Sequence, residues 1–482
     1  MSHVTSFTVH DSEVNDTQES DRKEPVSAPT DDDKRLLRKI DLYRIVDKAT
    51  LNSSSILGLN RSLKLSAEEY NWLGTIFFVS FLIFQFPQNL ALKRFPTGIW
   101  IGLNCLIWSI SIGAQAACKN FTQILVCRFI LGACEGCVTP GFMRITGLFY
   151  THKEQSTRTA YWFFMSGVSQ ILSGLMSYGV LHIKSKLTLW KLYFIITSSL
   201  TFVISILIII FFPSSPNTSW FLTKSQRERA INRIKSNQLG VEEKSFDFDQ
   251  VKEAFIDIKT WIWFLFCISV SIPNSLGNQV AIIVVSFGYT IEQTTLLSCC
   301  FGLVTIVSML SAVKLIDKTQ GSRGFIGACW YLPSILGAIL VITLPWNNRI
   351  GLLASIFLAS LSSTPFVISL GWINSTTAGH TKRSVVQAIV LIGYSIGNIL
   401  GPQMWKESYK PKNQIPWIII IICFGICFLI LIGMSEYLKY QNLMKLSKPG
   451  NVGGGFNSKS IANDEIMKDL TDLQNPGFLY VH

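Results

Sequence analysis

Apolar residues in this chain come in long unbroken runs, not in the alternation of half-buried strands or the stripe of a surface helix. Runs of spanning length lie at about 72–92, 98–117, 122–150, 158–182, 190–212, 258–283, 294–313, 324–344, 350–373, 385–404 and 415–436. They are too long for the strands of a membrane barrel. The pattern therefore predicts an all-α, polytopic membrane protein with eleven full spans. It breaks down once. The stretch RKIDLYRIVDKATLNSSSILGL, Arg38 to Leu59, stands where an opening helix belongs, yet it carries Arg44, Asp47 and Lys48. Its longest charge-free run, Ala49 to Asn60, has 12 residues, whereas a spanning helix needs about 20.

Composition agrees with the lipid bilayer as the chain's surroundings. Of 482 residues, 49% are hydrophobic and 15% charged, too little polar surface for a soluble protein of this length. A net charge of +12 raises the question of nucleic acid. The basic residues lie in short loops between apolar runs, so they mark membrane orientation and no nucleic-acid partner is expected. ALKRFPTG, THKEQSTR, the segment 213–257, KLIDKTQGSR, GHTKR and the tail after Tyr437 form the basic side, which is cytoplasmic by the positive-inside rule. Eleven spans then put residues 1–71 on the other side, while DDDKRLLRK near the start favours the cytoplasm, and the sequence leaves that conflict open. The eleven cysteines show no metal-ligand or disulfide spacing, and Cys299, Cys300, Cys423 and Cys427 read as small hydrophobes. The many tryptophans lie near span ends, where interface anchors sit.

The polar segment 213–257 divides five spans from six. The expected organisation is a disordered tail (1–36) without the apolar core of a cleavable signal, an N-terminal helix bundle (37–212), a cytoplasmic loop (213–257), a C-terminal bundle (258–437) and a cytoplasmic tail (438–482). In the loop, LTKSQRERAINRIKSNQLG sets Leu222, Ala230, Ile231 and Ile234 at roughly helical spacing, predicting an amphipathic surface helix that ends near Gly240. The basic loops LALKRFPTG and KLIDKTQGSRG occupy comparable places in the two halves, a weak internal repeat of the kind transporters use.

Three stretches resemble the major facilitator superfamily, specifically the fungal allantoate permease family of its anion:cation symporter branch: PSSPNTSWFLTKSQRERAINRIKSNQLG, AGHTKRSVVQAIVLIGYSIGNILGPQMW and RFILGACEGCVTPGF. The resemblance runs from about Lys34 to Leu443. It implies a two-bundle fold and proton-coupled import of a small organic anion, allantoate, nicotinate, pantothenate and biotin being family substrates, in the plasma membrane. It also implies that helix 1 should continue from KIDLY through some 15–20 apolar residues to an acidic–basic pair. Here Asp47 and Lys48 match the pair, but the apolar half-helix before them is missing at Tyr43–Val46.

Glu135 lies deep in the third apolar run, seven residues from Arg128. An intramembrane carboxylate costs about 2.5–3.5 kcal/mol on insertion scales, so it marks function by default. Burial disfavours the charged form, which lets such a carboxyl take up a proton and later release it. Seven residues turn a helix by about 700°, so Arg128 and Glu135 share a face. The resemblance implies proton coupling at Glu135, with Arg128 as its partner, and the plain alternative is a structural pair joining two helices. Arg144, nine residues on, falls on the opposite face unless Pro140 shifts the phase, and is expected to snorkel toward the cytoplasmic headgroups. The resemblance further implies proton transfer at Asp47, a substrate carboxylate held by Lys48, and an amide contact from Asn52; solvated surface charges are the alternative. In the tenth run Gly393, Gly397, Asn398, Gly401 and Pro402 predict close packing and a helix break, with Asn398 at the substrate site. Asn274 and Asn374 have similar, weaker claims.

No phosphate loop, Cys-x-x-Cys, His-Glu-x-x-His or nucleophile elbow is present, so an enzyme is not expected, nor a metal or any cofactor beyond the coupling proton. Antiporters of the superfamily carry Gly-Pro in helix 5; GVSQILSGLMSYG lacks it, which favours symport. The expected protein is a monomeric permease of the plasma membrane, with the endoplasmic reticulum as the alternative location. The alternative function is a truncated, transport-inactive relative serving as membrane sensor or scaffold.

Overall fold

A computed structural model of the chain describes residues 50–150, 152–215, 218–220, 222–228, 230, 247–319, 323–447 and 469–481. Among them all regular structure is helical, and eleven helices are long and apolar enough to cross a membrane, one for each predicted run. The described residues open with two short helices, α1 (Thr50–Ile56) and α2 (Leu59–Ser62), joined at Gly58, whose φ of 102° lies in the left-handed region. Then come α3 (Ala67–Arg94), α4 (Thr97–Ala117), α5 (Phe121–Glu135), α6 (Val138–Phe149), α7 (His152–Leu181) and α8 (Leu189–Phe211). The second half holds α9 (Phe248–Ile256), α10 (Ile258–Ser271), a 3₁₀ turn (Ile272–Ser275), α11 (Leu276–Ser286), α12 (Ile291–Thr319), α13 (Arg323–Thr343), α14 (Arg349–Ser360), α15 (Ser363–Ser375), α16 (His380–Gln403) and α17 (Gln414–Leu446).

Local chemistry explains where the observed bounds depart from the hydropathy pattern. Ser66 caps α3 reciprocally with Glu69: its Oγ accepts from the Glu69 N–H at 3.1 Å, and its own N–H donates to the Glu69 carboxylate at 2.9 Å. The helix therefore starts at Ala67, before its apolar run, and takes Tyr70 and Asn71 into its first turn. Three spans are broken, each just ahead of or at a proline. The α5–α6 span breaks at Gly136–Cys137, the α10–α11 span at Ile272–Ser275, and the α14–α15 span at Leu361–Ser362. Pro140, Pro273 and Pro365 each lack the N–H that would close the preceding turn. The break expected in the tenth run is absent, since α16 is continuous to Gln403. Pro402 falls in its last turn, where it ends the helix and breaks nothing. The close packing is present: a Cβ on Gly393, Gly397 or Gly401 would lie 2.8, 2.5 or 2.5 Å from the carbonyl oxygens of Phe264, Ile268 and Ile272 on α10 and the turn after it.

The contacts repeat between the halves. α4 packs along α8 as α13 packs along α17, and α4 lies against α5 as α13 lies against α14. The bundles meet where α3 lies on α16, α7 on α12, and α1 on α11. At the α7–α12 crossing a Cβ on Gly302 would stand 2.5 Å from the carbonyl of Gly167, an approach open only to glycine.

Several readings need correction. Trp190, Trp263, Trp372 and Trp417 are fully buried core residues, not interface anchors, and Trp263 meets Trp372 edge to face at 5.3 Å. Cys423 and Cys427 are buried, and Cys300 is exposed on the apolar span α12. Leu222 and Ala230 of the amphipathic loop stretch are buried and residues 224–228 helical, whereas Ile231, Ile234 and Gly240 lie outside the described residues. The loop also ends in a helix, α9, which the hydropathy pattern did not anticipate. The last helix runs on to Leu446, and residues 469–481 fold back onto the C-terminal half instead of forming a plain tail.

Candidate functional site

The sidedness of the loops puts Arg94, at the end of α3, on the cytoplasmic side, so the first turns of α3 and the last of α16 face the opposite compartment. At that outer end polar side chains cluster between the bundles. Tyr70 donates to the Asn278 carbonyl at 2.9 Å, and Asn71 donates to the Trp405 carbonyl at 2.6 Å. Gln279 donates to Asn71 at 3.0 Å, Thr75 to the Ile399 carbonyl at 3.1 Å, and Gln403 to Thr75 at 2.8 Å. Gly74 lets α3 approach closely here, since a Cβ would sit 3.3 Å from both Asn278 and Pro402. These contacts are neutral and individually modest, about 0.5–1.5 kcal/mol each, so the set can close the outer end and still separate. Sequence reading missed them. The available signal was polar or small residues at four-residue steps, Tyr70–Gly74 and Asn71–Thr75, in an otherwise apolar helix.

Below this closure lie the two buried charges of α5. Arg128 is 5% exposed and Glu135 7%, so they are the shared buried face that their spacing predicted. The Nε and Nη2 atoms of Arg128 have no hydrogen-bond partner among the described residues. Those two N–H groups lie along one edge of the guanidinium, the edge that grips a carboxylate with two parallel bonds. The Tyr70 hydroxyl, bonded to the Asn278 carbonyl, joins α3 to α11 at this level. Glu135 is the last residue of α5, directly ahead of the Gly136–Cys137 break. α3 backs the break: a Cβ on Gly136 would lie 3.6 Å from the Gln85 backbone, and Gln85 Oε1 has no partner among the described residues. Seven residues place Glu135 about 10 Å along the axis from Arg128. Arg144 is exposed, as a snorkelling residue should be, and it also donates to the Leu92 carbonyl at 2.6 Å, tying α6 to the last turns of α3.

Of the candidate amides, the structure brings two together. Asn274, freed from regular helix by the 3₁₀ turn, donates to Asn398 at 3.4 Å, and Asn398 donates in turn to the Tyr394 carbonyl at 2.8 Å. Tyr394 stacks on Phe366 at 5.7 Å and meets Phe78 edge-on at 6.2 Å, an aromatic wall drawn from α15, α16 and α3. Asn374 stands apart from them. It accepts from Gln387, about 16 Å along α16 from Asn398, near the cytoplasmic end. Asn52 on α1 accepts from the Ala281 N–H of α11 at 3.1 Å, linking the bundles. Asp47 and Lys48 lie outside the described residues.

A two-bundle helical fold with a hydrogen-bonded closure at one end and charges buried within a span is the architecture of a membrane transporter. Residues 45–402 match the Major Facilitator Superfamily. The chain is 30% identical to the "High affinity cysteine transporter" of Saccharomyces cerevisiae, a match covering 96% of this chain and 93% of that one. It is 27% identical to the "Allantoate permease" of the same yeast, over 94% of this chain and 88% of the permease. Among solved structures, the xylose transporter XylE from E. coli in an inward open conformation superposes with a TM-score of 0.59 at 14% identity, covering 80% of this chain and 92% of XylE. The protein belongs to the Major Facilitator Superfamily and is an integral membrane transporter of small molecules, not an enzyme.

Proposed function

We propose that the protein imports a small organic anion across the plasma membrane together with protons. The observation that carries this reading is Arg128: a permanently charged guanidinium buried in a span, with two adjacent N–H groups unpartnered among the described residues. Such a group is costly unless it meets an anion, and a substrate carboxylate is the anion that a transporter brings to it. Glu135, in the same helix and face, takes the proton when protonation at the outer side favours inward movement, and releases it toward the cytoplasm. Asn274 and Asn398 supply amide contacts that fix substrate orientation, and the Phe78–Tyr394–Phe366 wall shapes the apolar side of the site. The fungal relatives include an allantoate permease, which supports an anion of that kind. Cysteine, named for another relative, also bears a carboxylate.

Uptake into proteoliposomes under an imposed pH gradient, acid outside, tests the proposal with allantoate, nicotinate, pantothenate and cysteine as probes. Accumulation of one of them that collapses with the gradient is expected. Accumulation of a probe that ignores the gradient would overturn proton coupling, and failure to move any of these acids would overturn the anion reading. A second reading, a transport-inactive relative, is favoured by one feature of the sequence: the charge-free run Ala49–Asn60 has 12 residues, short of a full span.

A further inference from the structure

The cytoplasmic end of the C-terminal bundle contains a built carboxylate site whose occupant comes from far along the chain. Lys382 on α16 is fully buried and pairs with Glu253 at 2.8 Å, Asp257 at 2.8 Å and Asp472 at 2.9 Å. Lys259 on α10 pairs with Asp472 and, at 3.4 Å, with Asp257. The Asp472 carboxylate also accepts from the Tyr480 hydroxyl at 2.8 Å and from the Ala378 N–H at 3.3 Å. The first N–H groups of α16 are taken as well, that of His380 by the Asp469 carboxylate at 3.1 Å and those of Thr381 and Lys382 by Gln250 at 3.1 Å each, and Arg383 donates to the Thr377 carbonyl. The helices thus present two lysines, Lys382 and Lys259, and two acids of their own, Glu253 and Asp257. The third acid is delivered by residues 469–481.

That segment is held as a bound peptide is held. It has neither helix nor strand; Leu473 and Leu479 stand 49% and 51% exposed, while Tyr480 is buried in the core of the C-terminal half with Phe478 packed against it. Its other anchors are polar and specific. Asn442 on α17 grips Tyr480 through both backbone groups at 2.8 Å each, and Lys445 donates to the carbonyls of Asp472, Asn475 and Phe478. Trp372 donates to the Val481 carbonyl at 2.7 Å. At the other end, Gln250 on α9 donates to the Asp469 carbonyl, and Thr471 donates to Glu253. The 21 residues between Ser447 and Asp469, which include the run Gly453–Gly455, form the covalent link.

We propose that residues 469–481 are a detachable clasp: a tethered acidic, tyrosine-bearing peptide seated in a two-lysine carboxylate site at the base of the C-terminal bundle. Docked, it straps α9, the last helix of the segment joining the bundles, to the cytoplasmic ends of α10, α15, α16 and α17. Its partners all belong to one half, so it stiffens that half as a unit.

The test inserts a protease site at Gly453–Gly455 of the full chain, cuts the purified protein in detergent, and follows the freed segment by gel filtration. The cut segment should stay with the transporter and be displaced by excess synthetic peptide 469–481. Peptide with Asp472→Asn should compete at least about tenfold more weakly, the size of a lost charge-assisted contact. Asn442→Ala in the transporter, which leaves the charges intact, should weaken retention while the helices unfold at an unchanged temperature. Release of the wild-type segment as readily as an Asp472→Asn segment would overturn the site. Failure of a large excess of wild-type peptide to displace it would overturn detachability.

Discussion

Both halves of the transporter bury charge, and they do so in opposite ways. In the C-terminal half Lys382, Lys259, Asp257 and Asp472 satisfy one another at the cytoplasmic base, with hydroxyl and amide groups filling the remaining bonds. In the N-terminal half Arg128, in the first third of its span, keeps two N–H groups unpartnered among the described residues. A saturated cluster in low dielectric holds elements together and has nothing left to offer a ligand. An unsaturated cation at the same burial is a standing cost that only a ligand or a conformational change relieves. Burial alone therefore does not mark a functional charge. Incomplete pairing does.

The largest expected effect tests that contrast directly. Lys382→Met leaves Asp257 and Asp472 with Lys259 alone between them and should cost about 3–5 kcal/mol, read as aggregation or a collapsed unfolding temperature in detergent. Arg128→Met should remain monodisperse with an unfolding temperature equal to or above that of the parent, and should lose transport. If both variants unfold alike, the contrast is wrong. Next, Glu135→Gln should abolish concentrative uptake while sparing counterflow exchange, and undiminished accumulation would remove Glu135 from coupling. Inserting about 18 apolar residues after Tyr43 should raise uptake several-fold by completing the helix that positions Asp47 and Lys48. An unchanged rate would show that the gap is harmless. Matched acid and amide competitors should differ by roughly tenfold or more if Arg128 grips a carboxylate, and equal competition would count against it.

The smallest effect is a null one at the base of the other half. Burial by itself would raise the Asp472 carboxyl, but the ammonium groups of Lys259 and Lys382 outweigh it and pull the value from 3.8 down to about 2. With the folded value depressed, the contribution to stability is complete above the ordinary carboxylate range and is lost only as pH falls toward about 2. Hydrogen-exchange protection of residues 469–481 should therefore be flat from neutral to mildly acid pH. Loss of protection within that range would mean that the cluster is not the saturated one described.

The contrast was only half legible in the sequence. Glu135 and Arg128 stood out because charge inside an apolar run is conspicuous, and their common face followed from helical geometry. Lys382 and Asp472 did not stand out. One sits in a basic loop motif and the other in a polar tail, where charges are ordinarily solvated. The same held for breaks: glycines and Pro402 pointed to the tenth run, yet the spans that break are those of Glu135, Asn274 and Phe366, and an internal proline does not by itself mark a break, since α13 runs unbroken through Pro333.

By itself the sequence determined the number of spans and their order, because the bilayer imposes a contiguous apolar length that is a local property of the chain. Which polar groups meet was decided by the tertiary structure alone. Asn71 finds Gln279 across 208 positions and Lys259 finds Asp472 across 213. In lipid an unpaired polar group is costly wherever it sits, so selection acts on the completed pairs. No local pattern records a partner two hundred residues away.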